Sequence, residues 1–240
     1  MQAVDADVWI LTETHVDHGP GDGYQSVHTP AFPERRPESE RWVGIWSKLP
    51  LRAIEKPDPS PRGTVAVVVD APFGELIVYG CVIPWANEPA LANRASATMW
   101  QAHAETIDQL DGDLRTIEGA HPGVPIVVAG DFNQDRDGSG WYGTHAVRDQ
   151  LTDVLARHDL ACLTCDDVVA SGLLESQHLI DHICASTSLA QNATMSCWEA
   201  TDRDDIRLSD HPTVAVDPRT DAYSDSTATT GTRRRRRWAS

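Results

Sequence analysis

The run Ile126-Val127-Val128-Ala129 is wholly apolar, and it ends on Gly130-Asp131-Phe132-Asn133. A short apolar run closed by turn chemistry reads as a buried strand. Gly130 permits a tight turn at its end, after which a carboxylate and a carboxamide project from alternate positions. The fold must therefore bury a strand and present polar groups where that strand stops.

Three further segments repeat the pattern. Asp7-Val8-Trp9-Ile10-Leu11 reads as a strand ending at Thr12-Glu13-Thr14-His15, so that Glu13 emerges at a strand's end. Leu179-Ile180-Asp181-His182-Ile183 sets an acid within an apolar, strand-like run, and Leu208-Ser209-Asp210-His211-Pro212 places an acid beside an imidazole just before Val214-Ala215-Val216. Carboxylates are rarely buried unless paired or bound to metal. Any one of these acids has a bland reading as a cap or turn residue. Four in this arrangement are hard to assign to packing, and they suit a site that handles a phosphate and a water.

The rest of the chain supplies the frame. Arg41 to Ser47, Thr64 to Asp70, Glu75 to Cys81, Thr194 to Trp198 and Pro212 to Val216 read as strands, with Ala71-Pro72-Phe73-Gly74 as a hairpin turn. Leu91, Met99, Ile107, Leu110, Leu114 and Ile117 mark a helical stretch between Ala90 and Ile117, and Val147, Leu151, Val154 and Leu155 mark a second helix over 144–158. Residues 17–40, rich in Gly, Pro and charge, read as a loop. Hairpins with isolated helices favour a mixed or antiparallel α/β sandwich over a doubly wound parallel sheet.

Taken together, Leu11-Thr12-Glu13-Thr14, Gly130-Asp131-Phe132-Asn133, Ile180-Asp181-His182-Ile183 and Ser209-Asp210-His211 resemble, in order, the endonuclease/exonuclease/phosphatase superfamily. The Gly-Asp-Phe-Asn and Ser-Asp-His segments are the specific ones. The resemblance implies an α/β (α+β) four-layer sandwich, in which two mixed, mainly antiparallel sheets are flanked by helices. It also implies Mg²⁺ as cofactor (Mn²⁺ as the alternative) and hydrolysis of phosphodiester or phosphomonoester bonds, with nuclease-like activity favoured. Glu13 and Asp210 are then the expected metal ligands, and Asp131 orients or deprotonates the attacking water. Asn133 and His211 are expected to contact the phosphate, and Asp181 to pair with His211.

Two positions depart from the family pattern. Relatives carry an Asn-bearing strand ahead of the Glu, and Glu13 lies so near Met1 that the sandwich is expected to lack it. Val82 stands where relatives often place a His or another phosphate contact, with His15 and His182 as candidate substitutes. These departures keep a second reading open, a non-catalytic relative that binds nucleic acid or a protein partner.

A chain of 240 residues fits one large domain, expected over 1–217. The low-complexity remainder, 218–240, is expected to be a disordered basic tail carrying Arg233 to Arg237. The formal net charge of −16 argues against nonspecific clinging to nucleic acid. A metal-bearing acidic site can still take phosphate through its ion. There is no apolar run of about 18 residues and no signal-like N-terminus, so a cytoplasmic protein without a membrane span is expected, with a monomer favoured. Five cysteines form no evident disulfide framework. Cys162 and Cys165 read as small apolar-leaning residues, with a zinc or redox pair as the weaker alternative.

Overall fold

A computed structural model of the chain describes residues 4–31, 37–55, 63–87, 99–191, 193–201, 206–207, 209–218 and 238–239. Among the described residues, twelve strands form two six-stranded sheets. The first sheet holds β1 (Val8–His15), β2 (Gln25–His28), β3 (Glu40–Ser47), β10 (Thr194–Trp198), β11 (Thr213–Asp217) and β12 (Trp238–Ala239), in the order β10-β11-β12-β1-β3-β2. The second holds β4 (Leu51–Ala53), β5 (Thr64–Ala71), β6 (Gly74–Val82), β7 (Ile126–Asp131), β8 (Leu160–Cys162) and β9 (Asp181–Ser186), in the order β4-β5-β6-β7-β9-β8. Each sheet has one parallel pair, β1 with β12 and β6 with β7; the remaining pairs are antiparallel.

The second sheet is apolar on both faces, and its strands sort their side chains with a period of two. Val65, Val67 and Val69 of β5, Leu76 and Val78 of β6, and Val127 and Ala129 of β7 share one core with Val8, Ile10, Val43 and Ile45 of the first sheet. Their alternates, including Ala66, Val68, Ile77, Tyr79, Ile126 and Val128, pack against α1 (Gln101–Ala120) and α2 (His145–Arg157) through Ile107, Leu110, Leu114, Leu151 and Val154. A four-residue helix, α3 (Thr187–Ala190), follows β9. Gly80 lies where the sheets close: a β-carbon there would press on Val43 and Ile10. The outer face of the first sheet carries a smaller cluster of Val4, Ala6, Trp9, Trp46 and Ala215.

Three short strands depart from the sequence reading: β2 falls inside the expected 17–40 loop, and β4 and β8 have only three residues each. The first helix begins at Gln101, and residues 88–98 of its expected range lie outside the described residues. Two residues of the expected tail are described in a strand. Trp238 and Ala239 pair with Val8 and Trp9 of β1 and with Val216 and Ala215 of β11. At that point the flank of β1, expected to lack a strand, is covered by the chain's last residues. Residues 219–237 lie outside the described set. No described helix is long and apolar enough to cross a membrane.

Candidate active site

The ends of strands from both sheets meet at one edge of the sandwich. On the second sheet, Asp131 ends β7 and Asp181 begins β9, and antiparallel register sets the two directly opposite one another. Both are buried, at 6% and 5% exposure. Like charges facing across a ladder are destabilising, so a partner is required. It comes from the turn before β11, where His211 Nδ1 donates to Asp181 Oδ2 at 2.7 Å. Asp131, Asp181 and His211 each offer a ligand-type atom, all within 4.8 Å of one another.

The backbone at the end of β7 is shaped to deliver Asp131. Gly130 adopts φ +136°, and any β-carbon there would overlap the Cys81 carbonyl oxygen on β6. Only glycine lets the two parallel strands run this close. Two residues on, Asn133 sits in the left-handed region at φ 48°. Its backbone N–H donates to Asp131 Oδ1 at 2.8 Å, and its amide Nδ2 donates to Asp131 Oδ2 at 2.8 Å and to the Ile83 carbonyl at 3.0 Å. Phe132 between them is fully buried in the helix-side core.

Glu13 comes from the first sheet. The β1–β3 register passes from Thr12 opposite Val43 to Thr14 opposite Arg41 and skips Glu13, whose φ of 47° turns it out of the ladder. A non-glycine residue at such a φ stores strain of about 1–3 kcal/mol, and strain of this kind gathers at functional positions. Glu13 and Asp210 are exposed, yet both act on the buried trio. Burial, then the charges of Asp181 and Glu13, push the Asp131 carboxyl well above its ordinary value, against His211 and the Asn133 N–H. The Asp181 hydrogen bond outweighs burial at His211 and, with the charges of Asp181, Asp131 and Asp210, pushes the imidazole up to about 9. Of the charges acting most strongly on Asp131, His211 alone is positive.

The structure joins Asp131, Asn133, Asp181 and His211 by hydrogen bonds and strand pairing, while Glu13 acts on Asp131 and Asp210 on His211 through charge. It differs from the sequence reading in how Asn133 is used, because both amide N–H bonds are spent on Asp131 and Ile83 rather than left for a phosphate. Val82 is buried and lies beside Asp131 on β6. Its candidate substitute His182 is consumed in the interior: Nε2 donates to the Gln134 carbonyl at 3.0 Å and Nδ1 accepts from Thr164 Oγ1 at 3.0 Å. His15 is partly exposed and faces Asp17 and His18. Cys162 and Cys165 are unbridged, and Cys165 Sγ donates to the Cys162 carbonyl at 3.2 Å.

Supporting residues missed in the sequence surround these. Gln134 Nε2 donates to His103 Nε2 at 3.1 Å, and His103 Nδ1 donates to the Pro84 carbonyl at 2.7 Å. Fully buried Asp135 accepts from the N–H groups of Gly140 and Tyr142 at 3.0 Å each and from Arg148 at 3.2 Å, gathering the next loop around itself. The glycines at 138, 140 and 143 were the available signal for that loop.

The comparisons with known proteins agree with this geometry. A family model described as the endonuclease/exonuclease/phosphatase family matches residues 1–211, and the chain belongs to that family. By sequence, no curated protein matches it. Among solved structures, it is similar to an AP endonuclease from Archaeoglobus fulgidus, with a TM-score of 0.59, 14% identity and 87% of each chain covered. It is similar also to a 3′ phosphatase from Neisseria bound to a product DNA hairpin, with a TM-score of 0.59, 17% identity and 87% of each chain covered. The beta toxin of Staphylococcus aureus gives a TM-score of 0.54 at 14% identity, covering 88% of this chain and 86% of the other. At these identities the likeness is one of fold.

Proposed function

We propose that the protein is a divalent-metal-dependent hydrolase of phosphoester bonds, with nuclease-like activity favoured. The observation that carries this reading is the convergence of Asp131, Asp181 and His211 at the joined ends of two sheets, beside Glu13. The relatives in the comparisons include a DNA-bound 3′ phosphatase and an AP endonuclease, which favours phosphoesters of nucleic acid.

The donor set fits a hard cation. Asp181 and Glu13 add negative charge around Asp131, which His211 offsets, and carboxylate oxygens are the ligands that Mg²⁺ and Mn²⁺ prefer. Glu13 and Asp210 would hold the ion, since the carboxylates of Asp131 and Asp181 are already engaged with Asn133 and His211. When bound, the metal would neutralise phosphoryl charge and lower the barrier to attack by water.

The protein's own groups divide the remaining work. Asp131, aimed by Asn133, takes the proton of the attacking water. Asn133 acts as a positioning residue through its two bonds to Asp131. Asp181 engages Nδ1 of His211, leaving Nε2 to donate to a phosphoryl oxygen; the raised pKa keeps that imidazole protonated at neutral pH. The five free cysteines support a reducing, cytoplasmic setting.

The test is turnover of a chromogenic phosphodiester and of plasmid and single-stranded DNA with Mg²⁺ or Mn²⁺, against EDTA controls. Hydrolysis that EDTA abolishes, and that Asp131→Asn and His211→Ala each lower by orders of magnitude, supports the reading. Near-wild-type rates in both variants overturn it. Absence of any turnover favours the binding-module alternative.

A further inference from the structure

Two exposed indoles lie on segments hydrogen-bonded to the stretch that carries Asp131, and the mechanism uses neither. Trp85 is 47% exposed and Trp141 is 48% exposed, among few large apolar side chains so placed in the described residues. The Trp85 segment is tied to the Asp131–Asn133 turn and the Trp141 segment to Asp135, two residues further on. The Trp85 segment follows β6, where the Ile83 N–H donates to the Asp131 carbonyl at 2.8 Å and the Ile83 carbonyl accepts from Asn133. The Trp141 segment is held by the Asp135 N–H, which donates to the Tyr142 carbonyl at 3.1 Å.

The two segments also meet each other. The backbone of Ala86 is hydrogen-bonded to the Tyr142 hydroxyl, and the Tyr142 side chain senses the charge of Asp131. Trp100, whose N–H donates to the Ala86 carbonyl at 2.9 Å, sets its ring edge-on to Tyr142 at 5.6 Å. Trp141 packs at 5.4 Å against both Tyr142 and His178, and Asp137 holds the His178 imidazole at 3.3 Å. The Trp141 ring is therefore braced on two sides while about half its surface stays open.

We propose that this aromatic rim stacks on unpaired bases of a nucleic-acid strand whose phosphate lies at Asp131 and His211. The inference rests on the phosphoester-hydrolase reading and narrows its substrate. A braced ring loses little entropy when a flat partner covers it, and stacking serves every base because each has a π-face. The net charge of −16 points the same way. A strongly acidic protein gains little from phosphate contacts away from its metal, so base faces are the remaining source of affinity, and that affinity depends weakly on salt. Paired bases offer no free face, so single strands or frayed ends are preferred over duplex.

The test compares a labelled dT12 strand with a ring-free 12-mer in which abasic spacers keep every phosphate and remove every base. Binding is followed by anisotropy in EDTA, and cleavage in Mg²⁺. Wild type should bind dT12 about tenfold or more tighter than the ring-free strand, with a shallow salt dependence. Trp141→Ala should collapse that preference in both binding and kcat/KM, while Trp141→Phe should retain most of it. Equal binding of the two strands by wild type, or an unchanged preference in Trp141→Ala, overturns the proposal. So does a Trp141→Ala variant that loses binding to phosphatidylcholine–sphingomyelin vesicles while holding dT12 as before, which would assign the rim to lipid. The EDTA arm needs no turnover, so failure of base recognition is read separately from failure of hydrolysis, which the chromogenic diester reports.

Discussion

The Asp181 carboxylate at the start of β9 and the His211 imidazole in the turn before β11, thirty residues apart in the chain, meet at 2.7 Å. Asp181 also faces Asp131 across the β7–β9 ladder, so one carboxylate supports the imidazole and burdens its neighbour. Asp181→Asn should lower kcat by about 10²–10⁴-fold, the usual worth of a positioned acid–base partner. It should leave Tm within a few degrees of wild type, because removing the charge also relieves Asp131. Steady-state kinetics with thermal melts of the same preparation check both halves, and an unchanged kcat refutes the role.

Strain at Glu13 gives a second expectation. Glycine accepts φ 47° without penalty from a β-carbon, so Glu13→Gly should keep or raise stability by about 1 kcal/mol, while turnover falls by orders of magnitude. Differential scanning calorimetry and a metal titration of activity would show it. A marked drop in Tm would mean that Glu13 is structural.

Gly130 gives the opposite case. Gly130→Ala forces a β-carbon into the Cys81 carbonyl at a φ that L residues avoid. The cost is expected to exceed about 3 kcal/mol, seen as insoluble protein or a collapse of the melting temperature. A soluble variant with a wild-type melt would show that β6 and β7 can separate.

Acid should destabilise the protein through two interior imidazoles. Burial pushes His103 and His182 down to about 4 from 6.5. Protonation thus favours the unfolded chain, and their contribution is intact above pH 6.5 and lost as pH falls toward 4. Each should account for up to about 3 kcal/mol by pH 4. Asp111 and Asp137, held below 3.8, act only beneath this window. The raised Asp131 and His211 favour the fold as pH falls and oppose the decline, so the difference between wild type and a histidine variant isolates the interior imidazoles. Melts between pH 7.5 and 4 should show the decline, and a His182→Gln variant should show less of it.

Strongly patterned segments were legible in the sequence alone. β5, β6, β7 and β10 match their apolar runs within a residue or two, and α2 matches the stripe of Val147, Leu151, Val154 and Leu155. β4 and β8 were not legible, because three residues carry no period; they exist because β5 and β9 offer an edge to pair with. β12 lies in a low-complexity stretch, and only the gap between β1 and β11 gives it partners.

The candidate site divides in the same way. Residue types, their order and the resemblance they carry singled out Glu13, Asp131, Asn133, Asp181, Asp210 and His211 as candidates, although each acid alone also reads as a cap or turn residue. Register and backbone torsion decided what each one does. Asp131 meets Asp181 because β7 and β9 pair at that offset, Asn133 turns its amide inward because φ is positive, and His182 is drawn into the interior by Gln134 and Thr164. Local chemistry is written residue by residue, whereas the distance between two side chains depends on every strand that separates them.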